Sequence, residues 1–141
     1  MQIYSEQTRS KKILTKVLPE RKKIIWKTDK KQLESVISTI IFNSVKYTLS
    51  GKIIVSIEEN ANQEELRIIV EDTGVGMDPE QLAILKESLF NSLTSSTTSN
   101  CSGLGLGLRI ASTLLKYIAP KDHNQLVFSS AKNRGHKVEF V

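Results

Sequence analysis

The chain has 141 residues, the size of one domain, and its 20 Lys and Arg residues against 15 Asp and Glu give a net charge of +5. A domain of this length can bury a core without disulfides, and the single cysteine cannot form an internal one. No stretch approaches the roughly 18 uninterrupted apolar residues of a membrane span, and the first residues lack the order of a secretory signal, so we expect a cytoplasmic domain without membrane contact.

Half of the basic residues fall within residues 9 to 31, which raises the question of a nucleic-acid or acidic membrane surface. This segment has no helix-turn-helix or RNA-binding signature, and Glu20 and Asp29 interrupt its charge. We therefore interpret it as a solvated face or as the junction to a neighbouring domain, and we expect no nucleic-acid partner.

The first predicted element is a helix over residues 30 to 48. Its apolar residues recur at the three- and four-residue spacing of a helix with one buried face. These residues are Leu33, Val36, Ile37, Ile40 and Ile41. Residues 52 to 59 and 65 to 72 alternate, are rich in Ile and Val, and have a polar connection between them. They predict an antiparallel hairpin.

Two further helices are predicted after the hairpin. Asp78 provides an N-cap, a proline follows at the first helical position, and Gln81 can close a capping box, so a helix is predicted over residues 79 to 89. A third helix follows Gly103, because apolar residues again recur with helical spacing, and it ends near Pro120, which cannot continue a helix.

The chain closes with a second predicted hairpin. Strands over residues 125 to 130 and 137 to 141 flank a turn signal at residues 133 to 135. Helices separated by antiparallel hairpins predict an α/β (α+β) two-layer sandwich, with helices on one face of a mixed, mostly antiparallel sheet. The whole chain is expected to form one domain.

Three segments carry candidate chemistry, and the first is on the helix over residues 30 to 48. Thr39, Asn43 and Lys46 are spaced by four and three, so they form one row at the edge of the apolar face. The Asn43 carbonyl can bind a hard cation, and Lys46, one turn later, can reach a phosphate that the cation bridges. Both can equally be ordinary boundary residues of a helix.

The second segment follows the strand over residues 65 to 72. Asp72 is in phase with the inward positions of that strand, so its carboxylate is predicted to point toward the core. A buried carboxylate needs hydrogen-bond donors, and the amino group of adenine is one suitable donor. Gly74 and Gly76 allow a tight backbone that a flat base can approach. An aspartate that caps a turn is the alternative interpretation.

The third segment is the glycine-rich run over residues 103 to 108, directly before a helix. The free amides of a first helical turn suit a triphosphate. The run is neither a Walker A loop nor a dinucleotide fingerprint, because its glycine spacing and its context differ from both. A glycine-rich hinge is the alternative interpretation.

In order and spacing, these segments resemble the Bergerat-type ATP-binding fold shared by histidine kinases, gyrase, MutL and Hsp90. Residues 43 to 48 look like the N box, residues 72 to 77 like the G1 box, Phe90 like the F box and residues 103 to 108 like the G2 box. The histidine kinases are the most similar members. The resemblance implies the catalytic, ATP-binding domain of a larger sensor kinase in two-component signalling, with a flexible lid over residues 86 to 102.

The resemblance also implies a role for each matching residue. Asn43 would ligate Mg²⁺ and Lys46 would contact phosphate, and these two are the expected catalytic residues. Asp72 would bind the adenine amino group. The residues expected to bind ATP or ADP are Asn43, Lys46, Tyr47, Asp72, Gly74, Gly76, Met77, Phe90, Gly103, Leu104, Gly105, Leu106, Gly107 and Leu108.

The chain departs from the histidine kinase pattern at two points. Thr39 stands where these kinases usually carry Asn and the hydrolytic members carry a water-activating Glu, which disfavours unaided hydrolysis. His123 and His136 are the only histidines, and neither lies on an amphipathic helix beside an acid, so we interpret both as surface residues. The phosphoacceptor histidine is therefore expected on a separate dimerisation domain, with a response-regulator receiver domain as the downstream partner.

Two alternative functions remain open from the sequence. One is a hydrolytic clamp ATPase of the gyrase, MutL and Hsp90 type, which Thr39 argues against. The other is a stand-alone nucleotide-binding module resembling anti-sigma kinases, which the small size of the chain suits.

Overall fold

A computed structural model of the chain describes residues 13–18, 25–60, 65–90, 105–119 and 125–141. Its five strands form one sheet in the order β1-β2-β3-β5-β4, in which β1 is parallel to β2 and the other neighbours are antiparallel. Along the chain the elements are β1 (Ile13–Leu18), α1 (Lys30–Tyr47), β2 (Gly51–Asn60), β3 (Glu65–Asp72), α2 (Pro79–Phe90), α3 (Gly105–Ile118), β4 (Val127–Ala131) and β5 (Gly135–Phe140). The predicted mixed, mostly antiparallel sheet is confirmed.

Helix α1 begins and ends close to the predicted residues. Asp29 caps it, because the Asp29 Oδ1 accepts the backbone N–H of Gln32 at 3.1 Å. Its apolar stripe is buried against the sheet and against α3, with Val36 and Ile40 almost inaccessible to solvent. The helical period of the sequence therefore identified the buried face correctly.

Helix α2 starts with the predicted capping box. The backbone N–H of Gln81 donates to Asp78 Oδ1 at 2.9 Å, and the backbone N–H of Asp78 donates to Gln81 Oε1 at 3.2 Å. The helix continues to Phe90, so it occupies residues 86 to 90 of the segment that the sequence analysis assigned to a lid. The rest of that segment, residues 91 to 102, lies outside the described residues.

The two predicted hairpins form four of the five strands, and they meet where β3 pairs with β5. Val70 of β3 lies opposite Val55 of β2 on one side and opposite Val138 of β5 on the other. Because side chains alternate along a strand, this register puts a continuous apolar layer under the helices. The same alternation places Asp72 at the end of that layer, where it is buried, as predicted.

Strand β1 was not predicted, and it lies in the segment interpreted as a solvated face or a domain junction. It is an edge strand, and its apolar residues occur as the pairs Ile13-Leu14 and Val17-Leu18 instead of alternating. Leu14 is 65% exposed. A strand of this kind has no period-two pattern, so its pairing with β2 could not be recognised from the sequence.

None of the helices in the described parts of the chain is both long and apolar enough to cross a membrane.

Candidate nucleotide site

The centre of the candidate site is the buried carboxylate of Asp72. Its Oδ1 accepts the backbone N–H of Gly74 at 2.8 Å, the backbone N–H of His136 at 3.2 Å and a contact from His136 Nδ1 at 3.2 Å. These donors come from the loop after β3 and from the start of β5. They compensate the burial of a charge and fix the carboxylate at the end of β3, an inner strand of the sheet.

The loop after Asp72 has no room for side chains at its glycines. A Cβ added at Gly74 would lie 2.5 Å from the carbonyl oxygen of Tyr47 and 2.9 Å from Asp72 Oδ1. Gly76 has a φ of 64°, and a Cβ there would collide with the carbonyl oxygen of Ala131. The two glycines therefore let the loop pass close to the end of α1 and to the β4–β5 hairpin.

Ser130 joins that loop to the β4–β5 turn. Its hydroxyl accepts the backbone N–H of Met77 at 2.8 Å and donates to the carbonyl oxygen of Gly135 at 2.8 Å. A backbone hydrogen bond of 2.7 Å from Asn133 to the carbonyl oxygen of Val75 adds a second link. The β4–β5 hairpin thus holds the loop at two points.

Helices α1 and α3 meet at the other side of the site. A Cβ added at Gly107 would lie 3.2 Å from Thr39 Cγ2 and 3.6 Å from Asn43 Nδ2, so the first turn of α3 packs directly on the Asn43 region. The Thr39 hydroxyl donates to the Ser35 carbonyl oxygen of the preceding turn at 2.8 Å. Lys46 is exposed, with its Nζ 5.2 Å from the centre of the Tyr47 ring.

A pocket lies between these parts, with about 250 Å³ of empty space including its opening to solvent. Pockets for drug-sized ligands have roughly 300–1,000 Å³. Only about 10 Å³ of this pocket is enclosed, roughly the space of one water molecule, so the surrounding side chains must move apart before a nucleobase can enter. The lining residues are Ile40, Asn43, Ser44, Tyr47, Asp72, Leu108, Phe128, His136 and Val138.

Buried polar atoms without partners collect at this pocket. Among the described residues, Asn43 Nδ2 and His136 Nε2 are buried, lack a hydrogen-bond partner, and belong to lining residues. Thr48 Oγ1 is also buried without a partner; Thr48 does not line the pocket, but its Oγ1 would lie 2.9 Å from a Cβ added at Gly74. Because buried polar atoms are nearly always paired in proteins, this cluster indicates a polar ligand.

The structure brings together part of the predicted site. Asn43, Tyr47, Asp72 and Leu108 line the pocket, whereas Gly74, Gly76 and Gly107 shape its surroundings without lining it. Met77 is buried in the hydrophobic core, Leu106 is 72% exposed, and Lys46 lies beside the Tyr47 ring. Gly103, Leu104, the side chain of Phe90 and the surroundings of Gly105 lie outside what the structure describes.

His136 was wrongly interpreted as a surface residue. It is only 7% exposed, it contacts Asp72, and its ring lies against Tyr47 and Phe128 with centroid distances of 6.3 and 5.8 Å. His136 is in phase with Val138 and Phe140, which are both buried, so the alternation of β5 was a signal that could have found it. His123 lies outside the described residues.

Comparison with known proteins identifies the family. Residues 28–141 match the pattern of histidine kinase-, DNA gyrase B- and HSP90-like ATPases. The chain belongs to this ATPase family. The resemblance drawn from the sequence motifs is therefore confirmed.

The most informative curated relatives of this ATPase domain are sensor kinases. It is 36% identical over 105 residues to the phosphate regulon sensor protein PhoR of Pseudomonas aeruginosa, covering 74% of this chain and 22% of PhoR. It is 40% identical over 95 residues to the peroxide stress-activated histidine kinase mak2 of Schizosaccharomyces pombe, covering 62% of this chain and 4% of mak2. The chain thus spans less than a quarter of each relative. These matches support the histidine kinase interpretation over both alternatives.

Solved structures show the same fold. The catalytic domain of histidine kinase ThkA matches with a TM-score of 0.68 and 18% identity, covering 97% of this chain and 82% of that one. Full-length ShkA in complex with AMPPNP matches with a TM-score of 0.68 and 22% identity, covering 96% of this chain and 26% of ShkA. The predicted fold class is confirmed.

Proposed function

We propose that this chain is the ATP-binding catalytic domain of a histidine kinase, which transfers the γ-phosphoryl group of Mg-ATP to a histidine on a separate dimerisation domain. The observation that carries the proposal is the pocket in which the buried Asp72 carboxylate lies beside the unpaired polar atoms of Asn43 and His136. A nucleotide supplies hydrogen-bonding groups for these atoms and a flat base for the walls formed by Leu108 and Phe128.

In this proposal, the base of the nucleotide lies at Asp72. A carboxylate can accept a hydrogen bond from the exocyclic amino group of adenine, and the tight loop at Gly74 allows the base to approach. Tyr47 and Phe128 contribute ring surface to the same pocket. This arrangement distinguishes adenine from bases that carry a carbonyl oxygen in place of that amino group.

The phosphates of the nucleotide lie near Asn43 and the first turn of α3 in this proposal. The free amides and the positive dipole end of a 14-residue helix attract phosphate oxygens. Lys46 is exposed and adds a cation on the adjoining turn of α1. Gly107 keeps the first turn of α3 close to Asn43, because a larger residue would push against Thr39.

The residues present fit a magnesium ion that arrives with its nucleotide. Mg²⁺ in phosphoryl-transfer sites typically keeps several waters and takes one or two protein oxygens together with substrate phosphates. Asn43 is half-buried with its amide nitrogen inaccessible to solvent, and its carbonyl oxygen would be the protein ligand. When bound, the ion neutralises charge on the transferred phosphate oxygens.

The chemical step is an in-line transfer. A nitrogen of the acceptor imidazole forms a bond to the γ-phosphorus, the bond from that phosphorus to the ADP oxygen breaks, and the imidazole loses a proton to solvent. This chain contributes the position and the electrostatic environment of ATP. Transfer to water is disfavoured, because neither side chain is placed to activate a water molecule. The Thr39 hydroxyl donates its hydrogen bond to the Ser35 carbonyl, and the Asp72 carboxylate is engaged by three groups at the base end of the site.

The remaining partners follow from this role. A histidine-bearing dimerisation domain supplies the acceptor, and a response-regulator receiver domain takes the phosphoryl group afterwards. The likeness to PhoR and mak2, which are far longer than this chain, supports the view that it works as one part of a larger protein.

The proposal is tested by mixing the chain with radiolabelled Mg-ATP and a dimerisation domain that carries the acceptor histidine. We expect an acid-labile, alkali-stable phosphohistidine on the acceptor, and we expect Asn43→Ala to abolish it. Ser56→Ala, on β2 and outside the pocket-lining set, is the matched control. Absence of ADP binding by calorimetry, or label transfer unaffected by Asn43→Ala, would refute the proposal.

A further inference from the structure

The side chain of His136 occupies the space beside Asp72 in the pocket. Its Nδ1 lies 3.2 Å from Asp72 Oδ1, and the side chains of His136 and Asp72 are only 6% and 1% exposed. The imidazole also lies against the rings of Tyr47 and Phe128, which line the same pocket. With the imidazole in this position, the enclosed space is about 10 Å³, which one water molecule fills. A nucleobase therefore needs the space that the imidazole takes.

In this position the imidazole resembles the base that the pocket is proposed to hold. It is flat, and it lies among aromatic rings. Its Nδ1 carries a proton toward Asp72, because an ionised carboxylate can only accept hydrogen bonds. The other two donors to Asp72 Oδ1 are the backbone N–H groups of Gly74 and His136, so the imidazole is the side-chain donor. The amino group of adenine is a donor of the same kind.

The imidazole is also the wall of the pocket that moves at low cost. Four other lining residues belong to the hydrophobic core, namely Ile40, Leu108, Phe128 and Val138. Moving them would disturb the packing of the helices on the sheet. The His136 side chain is held by its bond to Asp72, and its Nε2 is buried without a partner in the part of the chain that the structure describes. Rotation of this side chain toward the opening brings Nε2 to water or to a polar group of the ligand, which offsets the loss of the bond to Asp72.

We propose that the imidazole of His136 occludes the empty nucleotide site, and that ATP or ADP binds to the conformer in which this imidazole has rotated away from Asp72. The inference rests on the proposed function, in which the pocket holds adenine. Rotation of the side chain leaves the backbone N–H groups of Gly74 and His136 on Asp72 Oδ1, so the carboxylate keeps two donors while the base replaces the imidazole. The apparent affinity is then the intrinsic affinity multiplied by the fraction of molecules whose pocket is open.

The test measures the affinity of the 141-residue chain for ADP by calorimetry. We expect His136→Ala to bind ADP about three- to tenfold more tightly than the wild type, because it removes the imidazole and keeps the backbone donor to Asp72. His136→Phe keeps a ring in the pocket and has no polar atom to bring into water, so it should bind ADP no more tightly than the wild type. Val138→Ala, the matched control, enlarges the same pocket from the same strand without freeing Asp72, and it should not raise the affinity.

The outcomes separate this inference from the proposed function. If neither the wild type nor His136→Ala binds ADP, the proposed function fails and the inference fails with it. If the wild type binds ADP and a His136→Ala protein with the circular dichroism of the wild type binds it equally or more weakly, the occlusion alone is overturned. An equal gain in Val138→Ala and His136→Ala assigns the effect to the size of the pocket and also overturns the inference.

A second readout leaves His136 unchanged. The chain has only two histidines, so ¹⁵N-histidine labelling of a His123→Gln variant gives the nuclear magnetic resonance spectrum of one imidazole. In the free protein we expect a proton on Nδ1 that is protected from exchange with solvent by burial and by the bond to Asp72. On saturation with ADP we expect this protection to be lost, because the imidazole leaves the pocket. An Nδ1 proton that stays protected in the ADP complex overturns the proposal.

Discussion

The Asp72 carboxylate links neighbouring parts of the fold, and in the proposed function it also accepts a hydrogen bond from the adenine amino group. Through Oδ1 it joins the end of β3 to the loop at Gly74 and to the start of β5 at His136. A carboxylate that is 95% buried is stable only with such donors. A substitution at this residue therefore has to be measured both for stability and for binding.

We expect Asp72→Asn to weaken ADP binding by roughly tenfold or more, because hydrogen bonds to charged groups contribute about 1.5–3 kcal/mol. The amide keeps one oxygen for the backbone donors but loses the charge. Calorimetric titration gives the affinity, and thermal unfolding shows whether the variant is folded at the titration temperature. The control is Asp78→Asn, at a residue that does not line the pocket. Asparagine can still cap α2, so this variant should bind ADP with unchanged affinity. Equal affinities for Asp72→Asn and the wild type would exclude this carboxylate from adenine recognition.

At the scale of elements, the β4–β5 hairpin supports the site by holding the loop over residues 73 to 77. Ser130 makes the central contact, since its hydroxyl bonds both the loop at Met77 and its own turn at Gly135. Helices α1 and α3 complete the site from the other layer, and Gly107 allows their close contact. The pocket thus depends on the relative positions of five elements, namely α1, β3, α3, β4 and β5.

We expect Ser130→Ala to lower the free energy of unfolding by about 1–3 kcal/mol, because it leaves the Met77 amide and the Gly135 carbonyl without their partner. Its neighbour Ser129 is exposed on the same strand, so Ser129→Ala should change stability by less than about 0.5 kcal/mol. Urea denaturation monitored by circular dichroism measures both variants. A Ser130→Ala protein as stable as the Ser129→Ala protein would show that the hydroxyl does not hold the loop.

At the scale of the whole molecule, the proposed function requires this chain to hold ATP for a reaction whose acceptor is on another domain. Positioning a reactant on a tethered domain can be worth an effective concentration of about 10⁵ M or more, and water in this pocket lacks a general base at position 39. Under the proposed function, we therefore expect the domain to bind its nucleotide and to turn it over only with a partner domain.

We expect the 141-residue chain alone to bind Mg-ATP without hydrolysing it rapidly and without phosphorylating its own histidines. Thr39→Glu introduces a carboxylate one helical turn before Asn43 and should raise the rate of hydrolysis, whereas Thr39→Gln, the uncharged control of the same size, should not. A coupled assay for ADP release measures the rates. Rapid hydrolysis by the unmodified chain, lost in Asn43→Ala, would favour a hydrolytic ATPase instead.

The sequence by itself determined the local structure and the family motifs. The helical period of α1 and α3, the capping box at Asp78 and the alternation of β3 are set by neighbouring residues, so the helices, both hairpins and the inward direction of Asp72 could be predicted. The local sequence likewise predicted a tight backbone at Gly74 and Gly76, because glycine tolerates conformations that other residues avoid.

Only the tertiary structure decided which distant residues meet. Strand β1 joins the sheet through parallel pairing with β2 although its own sequence lacks a strand pattern. His136 reaches Asp72 across 64 positions because β5 inserts between β3 and β4, and this strand order places an apparent surface histidine inside the pocket. Such contacts depend on the packing of whole elements, which no local period encodes.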